Sequence, residues 1–588
     1  MHIRLGQVPT IVVSSPEAAE LFLKAHDLVF ASRPTVLAEK FIGYGFRGLA
    51  FSPYGAYWRN MRKLCTLELF TNAKVEMFRP MRREEVSNLV EVLKVASHAR
   101  EVVCVSEMVG KVVEDMTYRM VFGSKEDRYR LKPIINEAMR LTAAFDVGDY
   151  VPFLAPLDLQ GIRRGMRLVV KDFNTMFDAI IAEHTKEARK QNADFRDFID
   201  VMLSLKDSNY MQDIKVNKDH IKAIIMDVVA AGMDTSVNVV NWAFPELLRH
   251  PKLMKRVQAE LREVVGMDRM VEETDLPKLN FLNMVIKETM RLHPVAPLLL
   301  PRESIEDITI NGYFIPKKSQ VFINIWTIGR DPNVWSENAE EFNPDRFVDV
   351  DMDIHGRDFQ FVPFGSGRRG CPGVQLGLTV VKLILAQLLH CFNWELPNCI
   401  SSCDLDMKEK FALSMSRESP LLADACGTNI RQMNILGTVV GGLFSFPHPT
   451  PPPNNTTEIP KSFTRNNRKN LNLSLRLVAP VDRLVPNRPS RSIVSSLRLV
   501  VLAGLSAVSA LAVRSRWSPY LRLVVLPGLS AVSGLAVSLV SPSRRAGLRH
   551  RRYLPLSLVS DSDPATLMIK SSSAFIEIIH LVTVLRKY

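Results

Sequence analysis

The chain has 588 residues, enough for one large domain and further material. It holds 75 basic and 62 acidic side chains, a net charge of +13, but residues 427–588 contribute 21 of the basic and only 5 of the acidic ones. The positive balance therefore belongs to the C-terminal region, and it gives no support to nucleic-acid binding by the rest. Seven cysteines (Cys65, Cys104, Cys371, Cys391, Cys399, Cys403 and Cys426) are few, odd in number and without C-x-x-C spacing. They exclude a disulfide scaffold or a zinc site and fit a reducing compartment. Cys391, Cys399 and Cys403 are expected to be inert.

In chain order, Ile11 to Pro16 reads as an early sheet strand. Trp58 and Arg62, four apart in Trp58-Arg59-Asn60-Met61-Arg62, project from one helix face. A long helical pattern runs from about His220 to Arg249 and contains Ala231-Gly232-Met233-Asp234-Thr235-Ser236. A glycine followed by an acid and a hydroxyl is poor mid-helix chemistry, so a use is expected there. Gly232 would let the helix open against a ligand, and Asp234 and Thr235 would pass protons. Pro245, in the same pattern, is expected to kink the helix.

Phe281 to Leu292 is a second helical pattern, in which Glu288 and Arg291 at i and i+3 can pair. Leu300-Pro301-Arg302-Glu303 and, later, Phe342-Asn343-Pro344-Asp345-Arg346-Phe347 follow. The most informative segment is Phe364-Gly365-Ser366-Gly367-Arg368-Arg369-Gly370-Cys371-Pro372-Gly373, with a helix-like apolar run from Val374 to Leu389 behind it. Its glycines remove Cβ atoms where the backbone turns or approaches a ligand. Its single cysteine suits a metal-held thiolate that backbone N–H groups can tune, and Arg369 offers a fork for a carboxylate.

The C-terminal region differs in kind. Pro447 to Asn455 forms a proline- and asparagine-rich break. Leu497–Val508 then recurs as Leu521–Val532 with only Ala503 changed, to Pro527, a period of 24 residues. Two clear copies are too few for a solenoid, and the apolar run Leu523 to Val540 sits at the lower edge for a membrane span. Residues 425–588 are therefore expected to be a basic extension without a folded domain of its own, a membrane-associated tail being the other reading.

The decamer around Cys371 resembles the haem-binding loop of the cytochromes P450, and the other motifs follow in that family's order from Trp58 to Gly373. The phrasing around Leu300–Ser304, Ile310–Pro316 and Phe364–Gly373 is most similar to the plant A-type microsomal class. The resemblance implies a mainly α fold with a small β region over residues 1–424, holding haem b with Cys371 as the iron ligand. It implies that Asp234 and Thr235 serve oxygen activation beside Gly232. Trp58, Arg62, Arg302 and Arg369 would grip the haem propionates, with Phe364 and Gly373 shaping the thiolate loop. Glu288, Arg291 and Arg346 would form a buried structural network. Further implications are electrons from an NADPH-cytochrome P450 reductase, for which Arg59, Lys63 and Arg368 are candidate contacts, and a small hydrophobic or aromatic substrate. That substrate would be met by the loop Phe41 to Phe51, the helix residues Met226 to Asp234, a strand at Val295 to Leu299 and the turn Ala412 to Met415. The class usually sits on the cytosolic face of the endoplasmic reticulum membrane through an N-terminal anchor, which is expected to be missing from a chain that starts directly in sheet-like sequence. Three activities stay open at this point: monooxygenase, haem-thiolate isomerase or dehydratase, and a truncated fusion product without activity.

Overall fold

The computed structural model describes residues 1–125, 131–186, 196–206, 216–350, 352–397, 400–410, 413–428, 522–523 and 537–538. The expectations for the repeat and the apolar run in the C-terminal region, and for Cys399 and Ala412, lie outside the described residues, apart from a two-residue ladder pairing Arg522 with Ser538 and Leu523 with Val537.

Strands β1 (His2–Leu5) and β2 (Val8–Val13) form a hairpin. Helices α1 (Leu37–Phe41), α2 (Ala56–Leu69) and α3 (Arg79–Ala99) follow, then β3 (Val102–Cys104) and α4 (Val105–Phe122). The middle of the chain contributes α5 (Ile162–His184), α6 (Lys218–Arg249) and α7 (Asn280–Leu292). The last part holds β4 (Arg302–Glu303), β5 (Gln320–Ile323), α8 (Val374–Cys391), β6 (Phe392–Glu395) and β7 (Leu422–Thr428). One sheet has the order β1-β2-β5-β4, with β2 parallel to β5; a second has the order β3-β7-β6, antiparallel throughout.

Two helices build the interior. Helix α6 starts at a capping box in which Asn217 and His220 bond each other's backbone N–H, satisfying two of the donors that a helix start leaves open. It packs against α4 and α8. Helix α8 is apolar almost all round, as a helix buried on every side must be. Both are long and apolar enough to cross a membrane, yet 56% and 78% of their most apolar windows are buried within the fold.

Helix α6 runs through Pro245 as far as Arg249, with Pro245 buried in the core. One local expectation is corrected. Val295 to Leu299 forms bends and a turn, with Leu299 at φ 50°, a conformation that no strand contains. Strand β7 pairs as far as Thr428, which sits opposite Phe392, so regular structure continues four residues past the expected boundary at 424.

Candidate active site

The thiol loop is shaped by its backbone. The Cys371 N–H donates to the Phe364 carbonyl at 2.9 Å, and the Gly370 N–H to the Gly367 carbonyl at 3.1 Å. Gly367 has φ +67°, and a Cβ there would lie 2.5 Å from Asp27 Oδ1, so both conformation and space demand glycine. Gly373 leads directly into α8, and a Cβ on it would meet nothing within 4 Å. Phe364 packs partly buried against the main core. Burial pushes the Cys371 thiol above its ordinary range, while the Gly373 N–H and the Arg62 charge pull it down. Cys371 is nonetheless exposed, unlike buried Cys65 and Cys391.

Helix α6 passes close to this loop. Ser236 Oγ lies 3.7 Å from where a Cβ on Gly377, in the first turn of α8, would stand. In the middle of α6, Ala231 and Thr235 are exposed, four residues apart on one face, with partly buried residues between them. The Thr235 hydroxyl donates to the Ala231 carbonyl at 2.8 Å, leaving its lone pairs free to accept. Burial raises the Asp234 carboxyl to about 6, against a lowering hydrogen bond from Asn238 and the charge of Lys410. Gly232 does not open the helix, which is α-helical throughout. A Cβ there would stand 3.4 Å from Thr117 on α4, an ordinary contact, so the packing of these two helices does not itself demand glycine.

Beside the thiol loop lies a cluster of arginines. Arg369 donates to the carbonyls of Ala31 and Ser52, each at 2.6 Å, and its guanidinium carbon stands 3.9 Å from the Trp58 ring. Arg302 donates to Asp27 at 2.9 Å and to the Ser366 carbonyl at 2.7 Å. Arg62 donates to the Gly370 carbonyl at 2.6 Å. A fourth member, Arg33, was not foreseen; it donates to the carbonyls of Ala50, Leu300 and Pro301. Its signal in the sequence is slight, a lone basic residue between the apolar run ending at Ala31 and Pro34. The indole N–H of Trp58, expected to reach a propionate, instead donates to the Leu49 carbonyl at 2.9 Å.

The electrostatics of this cluster point to an anionic ligand. Burial, with repulsion from Arg369, Arg302 and Arg62, drives Arg33 far below its usual range. The same causes bring Arg369 down to about 9. Asp27 answers this charge, and it also serves Arg368. Arg369 Nη1 is buried without a partner. Buried cations in excess over carboxylates are costly unless an anion completes them, and planar guanidinium forks match carboxylates. A flat group with an axial thiolate site and a carboxylate edge fits these residues, and haem is such a group.

Further from the loop, Glu288 and Arg291 on α7 are fully buried and form two bonds, at 2.7 and 2.8 Å. Arg346 Nε reaches Glu288 at 3.3 Å, and the Asn343 N–H donates to the same oxygen at 2.7 Å. Arg291 also donates to the carbonyls of Gly329, Ala339 and Glu341. This network ties α7 to the segment that leads into the thiol loop.

Comparison with known proteins agrees with this geometry. Residues 1–421 match the family model Cytochrome P450. Cytochrome P450 CYP736A12 of Panax ginseng is 54% identical over 428 residues, covering 72% of this chain and 85% of that protein. Amorpha-4,11-diene 12-monooxygenase of Artemisia annua is 42% identical over 424 residues, covering 72% and 84%. Among solved structures, a zebra fish cytochrome P450 with progesterone aligns with a TM-score of 0.61 at 26% identity, covering 72% of this chain and 96% of that one. A thiol loop, a polar face in a core helix and a cation cluster that calls for carboxylates thus stand together in a chain that belongs to the cytochrome P450 family, whose members are haem-thiolate monooxygenases.

Proposed function

We propose that the chain inserts one oxygen atom of O2 into a small hydrophobic plant metabolite, terpenoid or aromatic in character, with electrons from an NADPH-cytochrome P450 reductase. The observation that carries this reading is the convergence of two segments, 49–50 and 414–415, on one stretch of α6, with Val295 joined to the second. Leu49 and Ala50 donate to Asp227. Asn238 donates to Ser414 at 3.1 Å, Trp242 to the Met415 carbonyl, and the Met415 N–H to the Val295 carbonyl. Apolar side chains with a few placed polar groups suit such a substrate. The names of two relatives, the Artemisia annua protein and Germacrene A hydroxylase of Tanacetum parthenium, 40% identical, support a terpenoid.

Cys371, with Arg33, Arg62, Arg302 and Arg369, would hold haem, which would supply the oxygen-activating chemistry. The chain's own residues handle protons. With its carboxyl near 6, Asp234 exchanges protons readily close to neutral pH. The Thr235 hydroxyl, anchored through its own proton to Ala231, presents an acceptor on the exposed face of α6. Retention of this acid–hydroxyl pair favours oxygen insertion over isomerisation or dehydration, which need no such proton delivery. Arg59 and Arg368 both border Tyr54, and together with exposed Lys63 they form a basic face suited to an acidic reductase. We assign catalysis to residues 1–428 at the endoplasmic reticulum membrane and leave residues 429–588 outside it.

The test is reconstitution of the full chain with a plant reductase and NADPH against a panel of sesquiterpenes and simple phenylpropanoids. One product gaining a single oxygen atom from 18O2 supports the reading. Product formed equally without NADPH overturns it in favour of an isomerase.

A further inference from the structure

A four-residue strap, Arg47 to Ala50, is held almost entirely by side chains from elsewhere. The Tyr57 hydroxyl donates to the Arg47 carbonyl at 2.6 Å, and Trp58 Nε1 to the Leu49 carbonyl at 2.9 Å. Arg33 Nε donates to the Ala50 carbonyl at 3.0 Å. Arg47 is held by its N–H to the Gly43 carbonyl at 2.7 Å and by its side chain to Asp219 of α6 at 2.6 Å. The N–H groups of Leu49 and Ala50 both donate to Asp227 Oδ2, the second at 3.0 Å. Gly48 permits this approach, since a Cβ there would stand 2.5 Å from Asp227 Oδ2. Asp227 precedes Asp234 by seven residues, nearly two turns, so the two carboxylates share one face of α6. The strap therefore touches the proton-handling helix through Asp227 and the arginine cluster through Arg33 and Trp58.

We propose that Asp227 is a positioning residue: its carboxylate clamps the Arg47–Ala50 strap against α6 and so sets the distal wall of the substrate site together with the Arg33 and Trp58 side chains. The inference rests on the haem and substrate reading above. No other side chain bonds the N–H groups of Leu49 and Ala50 among the described residues. Two N–H donors on one carboxylate oxygen make a charge-assisted pair, stronger than the neutral equivalent.

The clamp is coupled to protonation. Buried Glu39 on α1 faces Asp227, and burial together with the Asp227 charge raises its carboxyl well above the usual range. From α2, Cys65 is raised by burial and then by the Asp227 charge, and Tyr57 by burial, then by Cys65 and more weakly by Asp227, with Arg47 opposing. Arg47 pairs with Asp219, in the first turn of α6, at 2.6 Å. Burial lifts Asp227 itself to about 6, while the Ala50 and Leu49 N–H groups pull it down. Those two bonds thus favour the ionised form, and protonation weakens the clamp even though it relieves the burial of charge.

Hydrogen–deuterium exchange of the full-length holoprotein at residues 47–51 reads the strap directly. In Asp227→Ala, exchange at Leu49 and Ala50 is expected to be at least tenfold faster than in wild type. Asp227→Asn, which keeps an acceptor oxygen without its charge, should fall between. In wild type, exchange corrected for its intrinsic pH dependence should accelerate as pH falls through about 6, and in Asp227→Asn it should not. Affinity for 4-phenylimidazole, used as an iron-binding distal probe, should weaken severalfold in the order wild type, Asn, Ala. Unchanged strap exchange in both variants overturns the clamp. If Asp227→Ala does not fold, Asp227→Asn and the pH series decide alone. Failure of wild type to load haem would overturn the functional reading instead, and the two failures are told apart by the wild-type spectrum.

Discussion

Replacing Arg291 by methionine isolates the buried network that supports the thiol loop. Both Arg291 and Glu288 have fully buried side chains, and the substitution removes two bonds between them. Losing one partner of a buried pair costs about 3–5 kcal/mol. The lower end applies here, because Arg346 and the Asn343 N–H stay on Glu288. The carbonyls of Gly329 and Ala339 also lose their donor, at about 1 kcal/mol each or more. The sum, about 5 kcal/mol, is comparable to the whole stability of many domains. Urea unfolding followed by tryptophan fluorescence should show the midpoint of Arg291→Met far below wild type, with haem lost together with the fold. Adding Glu288→Gln removes the stranded charge and should recover a substantial part of the loss, although the carbonyls remain unpaired. A single variant costing less than about 1 kcal/mol, or a double variant as unstable as the sum of its parts, would refute the reasoning.

Thr235→Ala removes the only hydroxyl placed at the exposed turn of α6 and should raise peroxide released per NADPH consumed, while Thr235→Ser should stay near wild type; equal coupling in all three contradicts the proton role. Asp234→Asn should abolish an inflection in turnover near pH 6, measured from pH 5 to 8. The same substitution bears on stability: a carboxyl raised from 3.8 to about 6 by folding contributes stability fully below the lower value and loses it as pH rises through the upper. Asp234→Asn should therefore stabilise by up to about 3 kcal/mol at pH 7 and by well under about 1 kcal/mol at pH 4, read from urea midpoints. Gly367→Ala forces a left-handed φ on alanine and places Cβ 2.5 Å from Asp27, so it should cost about 2 kcal/mol or more and lower haem occupancy in the purified protein.

Much of the site was legible because its logic is local. The Cys371 loop concentrates glycines, an arginine and a thiol within ten residues, and Glu288 with Arg291 is a one-turn pair on a helix. Other parts were hidden because their partners are backbone groups brought in from far away. Arg33 acquires meaning only from the carbonyls of Ala50, Leu300 and Pro301. Trp58 pointed to the right region, but its indole bond goes to Leu49, which no spacing rule foretells. Asp227 resembles any polar residue in an apolar helix until the strap is folded over it. Gly232 suggested an opening in α6, but the helix is continuous where it packs against α4. At Val295 to Leu299 the resemblance implied a strand, but the chain bends sharply there ahead of β4.

The central claim is that Cys371, as a thiolate, holds haem iron in this chain. The reduced carbon-monoxide difference spectrum of the full-length protein tests it most directly. A thiolate-ligated Soret band in wild type, absent from Cys371→Ala and replaced by a shorter-wavelength band in Cys371→His, is the predicted result. A wild-type protein that folds and binds haem but gives the same spectrum as Cys371→Ala would contradict the account.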